Sequence, residues 1–554
     1  MKRFISLLSA IIFIMSISFS AFAHPNYDAQ RVLSPPIWMP QDILIDNENI
    51  PLVVNDSMKR KEEMGYTEPH GNSLKFTNLV DGYSVIIPSG MTVDLSLSDI
   101  CTTISNSTTS LKIFKETFST VSERLSYLVY SNKFTENTAD HTVQRQETYT
   151  KGNREYHILQ WTRKALMRVP NDKNNYMCID VCEGARVYTF FFTSNQPFSS
   201  NFGYMNIVDS LVTFDPVIPV SNAYTSGYKK SDLSHLNQAA LSTYNYLFSD
   251  DASFKMGMFA PVKYGGYEKM ERFERTLNYR FVSFLEYTEV TDSAGVDANY
   301  YYSRVTSYIS SIEKYLRYAQ NTGKALELTL QTPLTRTTNT NMVYEILNGN
   351  FDLFLTQYAN LVAKYPDVTV LFRPFNEMNG DWCTYSSFHT SRDPQLYVAL
   401  YRYIHNKFEQ AGCRNVIWVW NPNERSFPNY KWNNQTLYYP GDEYVDVYGI
   451  TGYNNGTYYE GETWRSFDEI YAPIYQKALR INEKPIMITE FSCSSIGGDK
   501  VAWLEGMFNS LPNYDKIKLG IWWHAADYNG DQIARPYFMD TPDGMLEVFG
   551  KYLH

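Results

Sequence analysis

Short apolar runs alternate with amphipathic segments from about residue 250 to the end of the chain. Each run is five or six residues long, as expected of strands that a parallel sheet buries on both faces. The segments between them carry apolar residues at helical spacing, as in Phe354, Tyr358, Leu361 and Val362. The eight predicted strands are 256–260, 281–285, 325–330, 368–372, 416–420, 445–450, 485–489 and 519–523. Eight strand–helix units over about 300 residues predict an α/β fold, a (β/α)8 TIM barrel in 250–554.

A different pattern precedes the barrel. Residues 75–216 contain short alternating strands and one convincing helix at 119–130, which predicts a smaller α+β domain. Two prolines in 215–219 favour extended backbone, so we expect a linker over 217–249. Residues 24–74 show little periodicity and are interpreted as an irregular leader.

The first 23 residues have the three regions of a secretory signal peptide. Lys2 and Arg3 precede an apolar run over 4–19, and the small-residue site 21–23 predicts cleavage before His24. The alternative, a transmembrane anchor, is disfavoured because the run is short. We therefore expect a secreted, extracellular protein without a membrane partner once the signal is cleaved.

Composition narrows the classes of partner. The formal net charge of −10 is spread without long runs of one sign, which argues against nucleic acid and anionic membrane surfaces. Aromatic residues make up 16% of the chain and offer flat faces on which sugar rings can stack. Nine scattered histidines without HExxH or CxxC spacing predict neither a metal site nor a cofactor. We expect a monomer.

Two predicted strands close on a lone carboxylate. Glu377 follows the strand 368–372, and Glu490 follows the strand 485–489. Taken singly, each acid has the plain alternative of a surface group or a helix cap. Together, at carboxyl ends of barrel strands, they predict a glycosidase pair, one acid to protonate the leaving oxygen and one to attack or to activate water.

Other polar and aromatic residues near these strand ends are candidates for substrate binding. Arg373 points into the predicted barrel and can orient a carboxylate, or it forms a buried ion pair. Tyr453 can hydrogen-bond Glu490, or it is a structural tyrosine at the barrel rim. Trp382 and Trp523 are candidate stacking platforms.

Four segments, in this order, resemble the signature segments of glycoside hydrolase family 26, a clan A group of retaining enzymes dominated by endo-β-1,4-mannanases. The resemblance covers about 250–554 and implies that Glu377 is the general acid/base and Glu490 the nucleophile. The amino-terminal domain loosely resembles small PsbP/Mog1-like domains, a likeness that names no chemistry. The four segments are RPFNEMNGDW (373–382), WVWNPN (418–423), YYPGDEYVDVYGITGYN (438–454) and KPIMITEF (484–491).

The chain departs from this family at one position. The family usually places histidine directly before the acid that follows the fourth strand, whereas this chain has Asn376. In many other clan A families an asparagine there hydrogen-bonds the sugar 2-OH, which is axial in mannose and equatorial in glucose. The residue is therefore compatible with catalysis and bears on which sugar is bound.

These features predict a secreted, retaining endo-β-glycanase that cleaves a plant-type polysaccharide by double displacement. β-1,4-Mannan is the expected substrate. The alternatives are a mixed-linkage β-1,3-1,4-glucanase, a β-1,3-xylanase and a catalytically retired barrel that only binds carbohydrate. Because a linker is predicted after it, we expect the domain at 75–216 to be dispensable for hydrolysis of soluble glycan.

Overall fold

A computed structural model of the chain shows two antiparallel sheets followed by a closed barrel. The predicted signal peptide, 1–23, lies outside the residues that the structure describes, as does the leader up to residue 63. The described residues are 64–97, 99–198, 203–217, 231–291, 298–333, 339–481 and 483–553.

In the described residues, the amino-terminal domain contains two sheets and two α-helices. The strands are β1 (Gly65–His70), β2 (Ser73–Asn78), β3 (Tyr83–Pro88), β4 (Thr92–Asp94), β5 (Thr102–Ser105), β6 (Thr109–Thr117), β7 (Thr142–Lys151), β8 (Arg154–Thr162), β9 (Asn175–Glu183), β10 (Arg186–Ser194) and β11 (Val212–Thr213), and the helices are α1 (Val121–Ser131) and α2 (Tyr204–Asp209). One sheet has the order β1-β2-β3-β11, and the other has the order β4-β5-β6-β10-β9-β8-β7. The predicted α+β character of this region is thus observed.

Three consecutive phenylalanines on β10 show how this domain uses both faces of its larger sheet. Phe190 and Phe192 are buried in the core between the two sheets. Phe191, which strand alternation turns to the opposite face, belongs to a second cluster that also contains Tyr430 and Trp432 of the barrel. The larger sheet is therefore covered on both sides, on one side by the smaller sheet and on the other by α1 and by barrel loops.

Eight parallel strands close the barrel, which confirms the predicted fold class. The strands are β12 (Lys255–Phe259), β13 (Ser283–Glu289), β14 (Ala325–Gln331), β15 (Val370–Pro374), β16 (Val416–Trp420), β17 (Val447–Asn454), β18 (Ile486–Cys493) and β19 (Ile517–Trp523). The helices of this part of the chain are α3 (Gln238–Phe248), α4 (Gly266–Leu277), α5 (Ala298–Thr322), α6 (Met342–Leu347), α7 (Asp352–Ala363), α8 (Pro394–Gln410), α9 (Phe467–Ile481), α10 (Lys500–Ser510) and α11 (Met545–Tyr552). A hairpin of β20 (Ala526–Asn529) and β21 (Gln532–Pro536) follows the last barrel strand.

Alternation along β15 explains why a charged residue lies inside the barrel. Val370 and Phe372 pack outward against the helical layer, and the Phe372 ring stacks on Phe408 with ring centroids 4.7 Å apart. Leu371 faces the barrel interior, and Arg373, two residues further on, follows it inward. Arg373 is completely buried.

The segment 217–249, predicted as a linker, contains the helix α3. Its residues Tyr244, Leu247 and Phe248 recur at helical spacing and pack into the cluster that fills the barrel interior. The described residues at the end of the predicted leader 24–74 include β1 and the start of β2.

The amino-terminal domain packs on the segments that follow β14, β15 and β16, which extend from the carboxyl ends of these strands. Aromatic residues of both parts share one core cluster. Hydrogen bonds cross the boundary from the Asn341 N–H to Asp140 (2.7 Å), from Tyr176 to Asp393 (3.0 Å), from Arg392 to Tyr127 (2.7 Å), from the Lys431 N–H to Glu116 (2.5 Å) and from Trp432 to Ser131 (3.0 Å). Such an interface does not support the expectation that this domain is dispensable.

All six cysteines are buried free thiols. Across the described ranges, no helix combines the length and the apolar character that crossing a bilayer requires. Within the same residues, no group of three or more His, Cys, Asp and Glu side chains is arranged to hold a metal ion.

Candidate active site

A bulge in β18 sets the direction of Glu490. Ile488 and Phe491 both pack outside the barrel, so two residues lie between outward positions where regular alternation places one. The pairing register shifts at this point, because Ile450 opposes Ile488 whereas Thr451 opposes Glu490. Glu490 was predicted to end its strand but lies inside it, since β18 continues to Cys493.

Two hydrogen-bond donors hold the Glu490 carboxylate inside the barrel. Arg373 donates from Nη2 to Oε1 at 2.6 Å, and Tyr453 donates from its hydroxyl to Oε2 at 2.8 Å. Glu490 is 1% exposed. Donors on both oxygens favour the carboxylate anion and fix its orientation, as a nucleophile requires.

Arg373 also contacts a second buried carboxylate, Glu327 of β14. The distance from Arg373 Nε to Glu327 Oε1 is 2.5 Å, and both side chains are completely buried. Burial raises the pKa of the Glu327 carboxyl to about 8, an effect that Arg373 only partly offsets and that the negative charge of Glu490 reinforces. The guanidinium thus lies between two glutamates, Glu327 and Glu490, whose carboxyl groups differ in their surroundings.

Glu377 lies three residues beyond the end of β15, in a strained backbone conformation. Its φ is 56°, in the left-handed region that a residue with a side chain rarely adopts. Its N–H donates to the Asn421 carbonyl at 2.7 Å, and Asn423 donates from Nδ2 to its carboxylate at 2.6 Å. Both contacts come from the segment after β16, which therefore stabilises the strained conformation.

Asn421 connects the surroundings of the two acids. Its side-chain oxygen accepts from Arg373 Nη1 at 2.7 Å, while its carbonyl accepts from the Glu377 N–H. Arg373 in turn binds Glu490. A continuous series of buried hydrogen bonds therefore links the backbone at one carboxylate to the side chain of the other.

Asn376 is buried directly before the acid. Gln331, the last residue of β14, donates from Nε2 to Asn376 Oδ1 at 2.9 Å. Tyr385 donates to the Asn376 carbonyl at 2.6 Å. With Oδ1 accepting from Gln331, the amide NH2 is the group that this side chain can offer to a ligand.

The two tryptophans named from the sequence differ in exposure. Trp523 is 1% exposed inside the barrel, where its indole N–H donates to the Tyr287 hydroxyl at 3.0 Å and its ring stacks on Phe259. Trp382 is half-buried and packs against Phe427 with ring centroids 5.1 Å apart. Trp382 therefore presents more of its surface to a ligand than Trp523 does.

Tyr287 of β13 joins the same group of residues. Burial and the neighbouring Glu490 carboxylate raise the pKa of the Tyr287 hydroxyl well above its usual range. Its ring lies 5.7 Å from the Arg373 guanidinium carbon. Tyr287 and Tyr453 thus flank Glu490 from different strands.

Five of these residues were predicted from the sequence to lie near the acids, whereas Glu327, Tyr287, Asn421 and Asn423 were not. Glu327 and Tyr287 were missed because a single polar residue in an apolar strand has no distinguishing spacing. Asn421 and Asn423 lie in the segment WVWNPN, whose two asparagines at the end of a strand were an available signal.

Comparison with known proteins gives a family match inside the barrel. The model described as Glycosyl hydrolase family 26 matches residues 318–490. Endoglucanase H of Acetivibrio thermocellus is 37% identical over 184 residues, which are 32% of this chain and 20% of that protein. A mannan endo-1,4-beta-mannosidase of Bacillus subtilis is 34% identical over 101 residues, 17% of this chain and 26% of that protein. The alignments thus span about a quarter or less of these relatives.

Two solved structures of endo-beta-1,4-mannanases align with more than half of this chain. The catalytic domain of the Bacillus sp. JAMB-750 GH26 endo-beta-1,4-mannanase has a TM-score of 0.43 and 18% identity, and the alignment covers 59% of this chain and 93% of that one. The Cellulomonas fimi endo-beta-1,4-mannanase double mutant gives 0.43 and 17%, covering 59% and 76%.

Proposed function

Residues 318–490 match the model of glycosyl hydrolase family 26, and from this match we propose that the barrel belongs to that family and that the protein is a retaining β-glycanase. The observation that carries the proposal is the environment of Glu490. A buried carboxylate held by an arginine at 2.6 Å and a tyrosine at 2.8 Å is oriented for attack on an anomeric carbon. Glu377, which binds Asn423, supplies the second acid.

The proposed reaction is double displacement. Glu377 donates its proton to the glycosidic oxygen while Glu490 forms a bond to the anomeric carbon and the leaving sugar departs as an alcohol. Glu377 then removes a proton from water, which attacks the glycosyl-enzyme and releases Glu490. Two inversions at one carbon give net retention of configuration.

Substitution of each acid tests these roles. Glu490→Ala is expected to lower kcat by roughly 10⁴-fold or more, and azide should restore turnover to give a glycosyl azide of inverted configuration. Glu377→Ala should retain fast glycosylation of an aryl glycoside whose leaving group needs no proton. Glu547→Ala, at an exposed position of α11, is the matched control and should behave as the parent protein. Equal losses on both kinds of substrate without azide rescue would contradict the assignment.

We propose β-1,4-mannan as the substrate and secretion as the route to it. Several relatives carry the name mannan endo-1,4-beta-mannosidase, which supports mannan. The signal-peptide pattern of residues 1–23 supports export, and the acidic charge supports a glycan partner rather than nucleic acid or membrane. Amino-terminal sequencing of protein recovered outside the producing cell would test export, with His24 expected as the first residue.

A second candidate is cleavage of β-glucan. Two observations favour it: Asn376 replaces the histidine that the resemblance leads one to expect, and a relative that aligns over 184 residues is named Endoglucanase H. Initial rates of reducing-sugar release from β-1,4-mannan, mixed-linkage β-1,3-1,4-glucan and β-1,3-xylan distinguish the candidates. No release from any of the three would contradict glycanase activity altogether.

A further inference from the structure

One segment of the barrel carries catalytic residues at its start and is bound by the amino-terminal domain at its end. This acid loop, residues 375–393, follows β15 and leads into α8. Glu377 and Trp382 lie in its first half. Its second half contacts α1 and the larger sheet of the amino-terminal domain, from which hundreds of residues separate it in sequence.

Tyr130, near the end of α1, binds the middle of the acid loop. Its hydroxyl donates a hydrogen bond to the carboxylate of Asp381, 251 residues further along the chain. The Tyr130 ring packs against Phe388 of the same loop, with ring centroids 4.7 Å apart. Inside the loop, the Asp381 carbonyl is bound to His389 Nε2 at 2.6 Å. Tyr130 thus contacts both sides of the loop where it folds back on itself.

The position of Asp381 is coupled to both active-site residues by short contacts. Trp382 follows it directly, and the Trp382 ring covers Gly380 so closely that a Cβ there would lie 2.4 Å from the indole. The Gly380 N–H in turn donates to the Glu377 carbonyl at 2.9 Å. A shift of Asp381 therefore changes the position of Trp382 and reaches the backbone of the acid.

The carboxyl-terminal end of the acid loop holds backbone strain that the amino-terminal domain stabilises. Ser391 and Arg392 both have a left-handed backbone, with φ of 56° and 57°. Two such residues in succession persist only where their surroundings fix them. The buried Arg392 guanidinium supplies that constraint, because it donates to Tyr127 at 2.7 Å and lies over the Trp432 ring at 5.3 Å.

We infer that Tyr130 is a positioning residue for the active site and that the amino-terminal domain is a fixed part of the catalytic end of the barrel. Tyr130 acts through Asp381 and touches no reacting atom. The kinetic consequence rests on the proposed function, whereas the conformational consequence does not.

The test is Tyr130→Phe in the full chain, which removes one hydroxyl and keeps the ring on Phe388. Tyr149→Phe is the matched control, since Tyr149 stacks on Tyr156 within the amino-terminal domain. Hydrogen–deuterium exchange of peptides from 375–393 should be about tenfold faster in Tyr130→Phe, as expected for loss of a hydrogen bond to a charged group, and unchanged in the control.

Steady-state kinetics on the glycan that the parent protein cleaves provides the second readout. Because Trp382 loses its fixed position, KM should rise about five- to tenfold and kcat should fall less. A general loss of folded protein would instead lower kcat at constant KM. Unchanged exchange in the acid loop, or faster exchange with parental KM and kcat, overturns the inference. If the parent protein cleaves no glycan, the proposed function fails, and the exchange measurement alone decides whether Tyr130 positions the loop.

Discussion

Glu327 is a buried carboxyl whose ionisation the fold opposes, and we predict that Glu327→Gln removes a pH dependence of stability. In the folded chain, burial raises the pKa of this group from its ordinary value of 4.5 to about 8. The folded state therefore binds a proton over a pH range in which the unfolded state has released it. Stability from this group is complete below about pH 4.5 and is lost as the pH rises towards 8.

The expected size of the effect follows from the same two values. Each pH unit between them costs about 1.4 kcal/mol, so the full range corresponds to a loss on the order of 5 kcal/mol in the free energy of unfolding. For a domain as large as this barrel, that loss corresponds to roughly 5 to 10 °C in Tm. Glutamine has the shape of the protonated acid and does not titrate, so Glu327→Gln should not show the loss.

The assay compares Tm of the parent and of Glu327→Gln from pH 5 to pH 9 at constant ionic strength. The two proteins should melt at similar temperatures near pH 5, and the variant should become progressively more stable than the parent up to about pH 8. A difference in Tm that does not change with pH would refute the reasoning, because it would mean that Glu327 has the same protonation state in both folded and unfolded chains.

Glu424 offers a control of opposite sign. It is also buried, but Arg465, at 2.6 Å, and Arg425 outweigh the effect of burial and lower the pKa of its carboxyl. Stability from such a group is complete above its unfolded pKa and is lost only as the pH falls through the folded pKa. Glu424→Gln should therefore lower Tm by a nearly constant amount from pH 5 to pH 9.

Three further predictions concern the interface and the active site. In a fragment of residues 225–554, Trp432 loses the amino-terminal domain that covers it and becomes exposed to solvent. The fragment should therefore elute as aggregates on size-exclusion chromatography, and a monomeric fragment with cooperative melting would contradict this prediction. Asn376→Ala should remove about 2 to 4 kcal/mol of transition-state stabilisation, and kcat should fall by a larger factor than KM rises. Asn376→His should shift the ratio of the kcat/KM values for mannan and glucan. Unchanged kcat in the first variant and an unchanged ratio in the second would show that Asn376 does not take part in substrate recognition. Tyr453→Phe should lower kcat/KM roughly tenfold or more, because the Glu490 carboxylate loses the hydrogen bond from the Tyr453 hydroxyl. The acidic limit of the pH profile of kcat/KM should also move to higher pH, since that hydrogen bond favours the charged form of Glu490. If the limit stays where it is, the role of Tyr453 is structural.

The barrel could be predicted from sequence because its strands are buried on both faces. Such strands are continuous apolar runs, and the run at 416–420 coincides with β16. The other predicted strands differ from the observed ones mainly at their ends. β17, for example, extends four residues past the predicted 445–450, because Thr451, Gly452, Tyr453 and Asn454 continue the pairing with β18.

The site was predictable in its residue types and less so in its geometry. Strand periodicity indicated that Arg373 points inward, and the structure shows it on Glu490. The bulge that turns Glu490 inward was not predictable, since it depends on how β18 pairs with both neighbouring strands. The role of Glu327 was also hidden, because its raised pKa arises from burial beside residues of other strands.

The contact between the two domains could not be predicted from the periodicity of the sequence. Tyr430 and Trp432 lie in an irregular segment, and nothing in their spacing indicates that Tyr127 is their partner about 300 residues earlier. The helix α3 was different. Its apolar residues recur at helical spacing, so the pattern was present within the segment interpreted as a linker.

The interface also has a consequence for how the two domains fold during synthesis. Ribosomes deliver the amino-terminal domain first, and domains generally fold as units in that order. Its surface around Tyr130 is therefore available before the acid loop is synthesised. The loop can then fold against an amino-terminal domain that is already folded. A circular permutant that delivers the barrel first would reverse this order and make that surface arrive last.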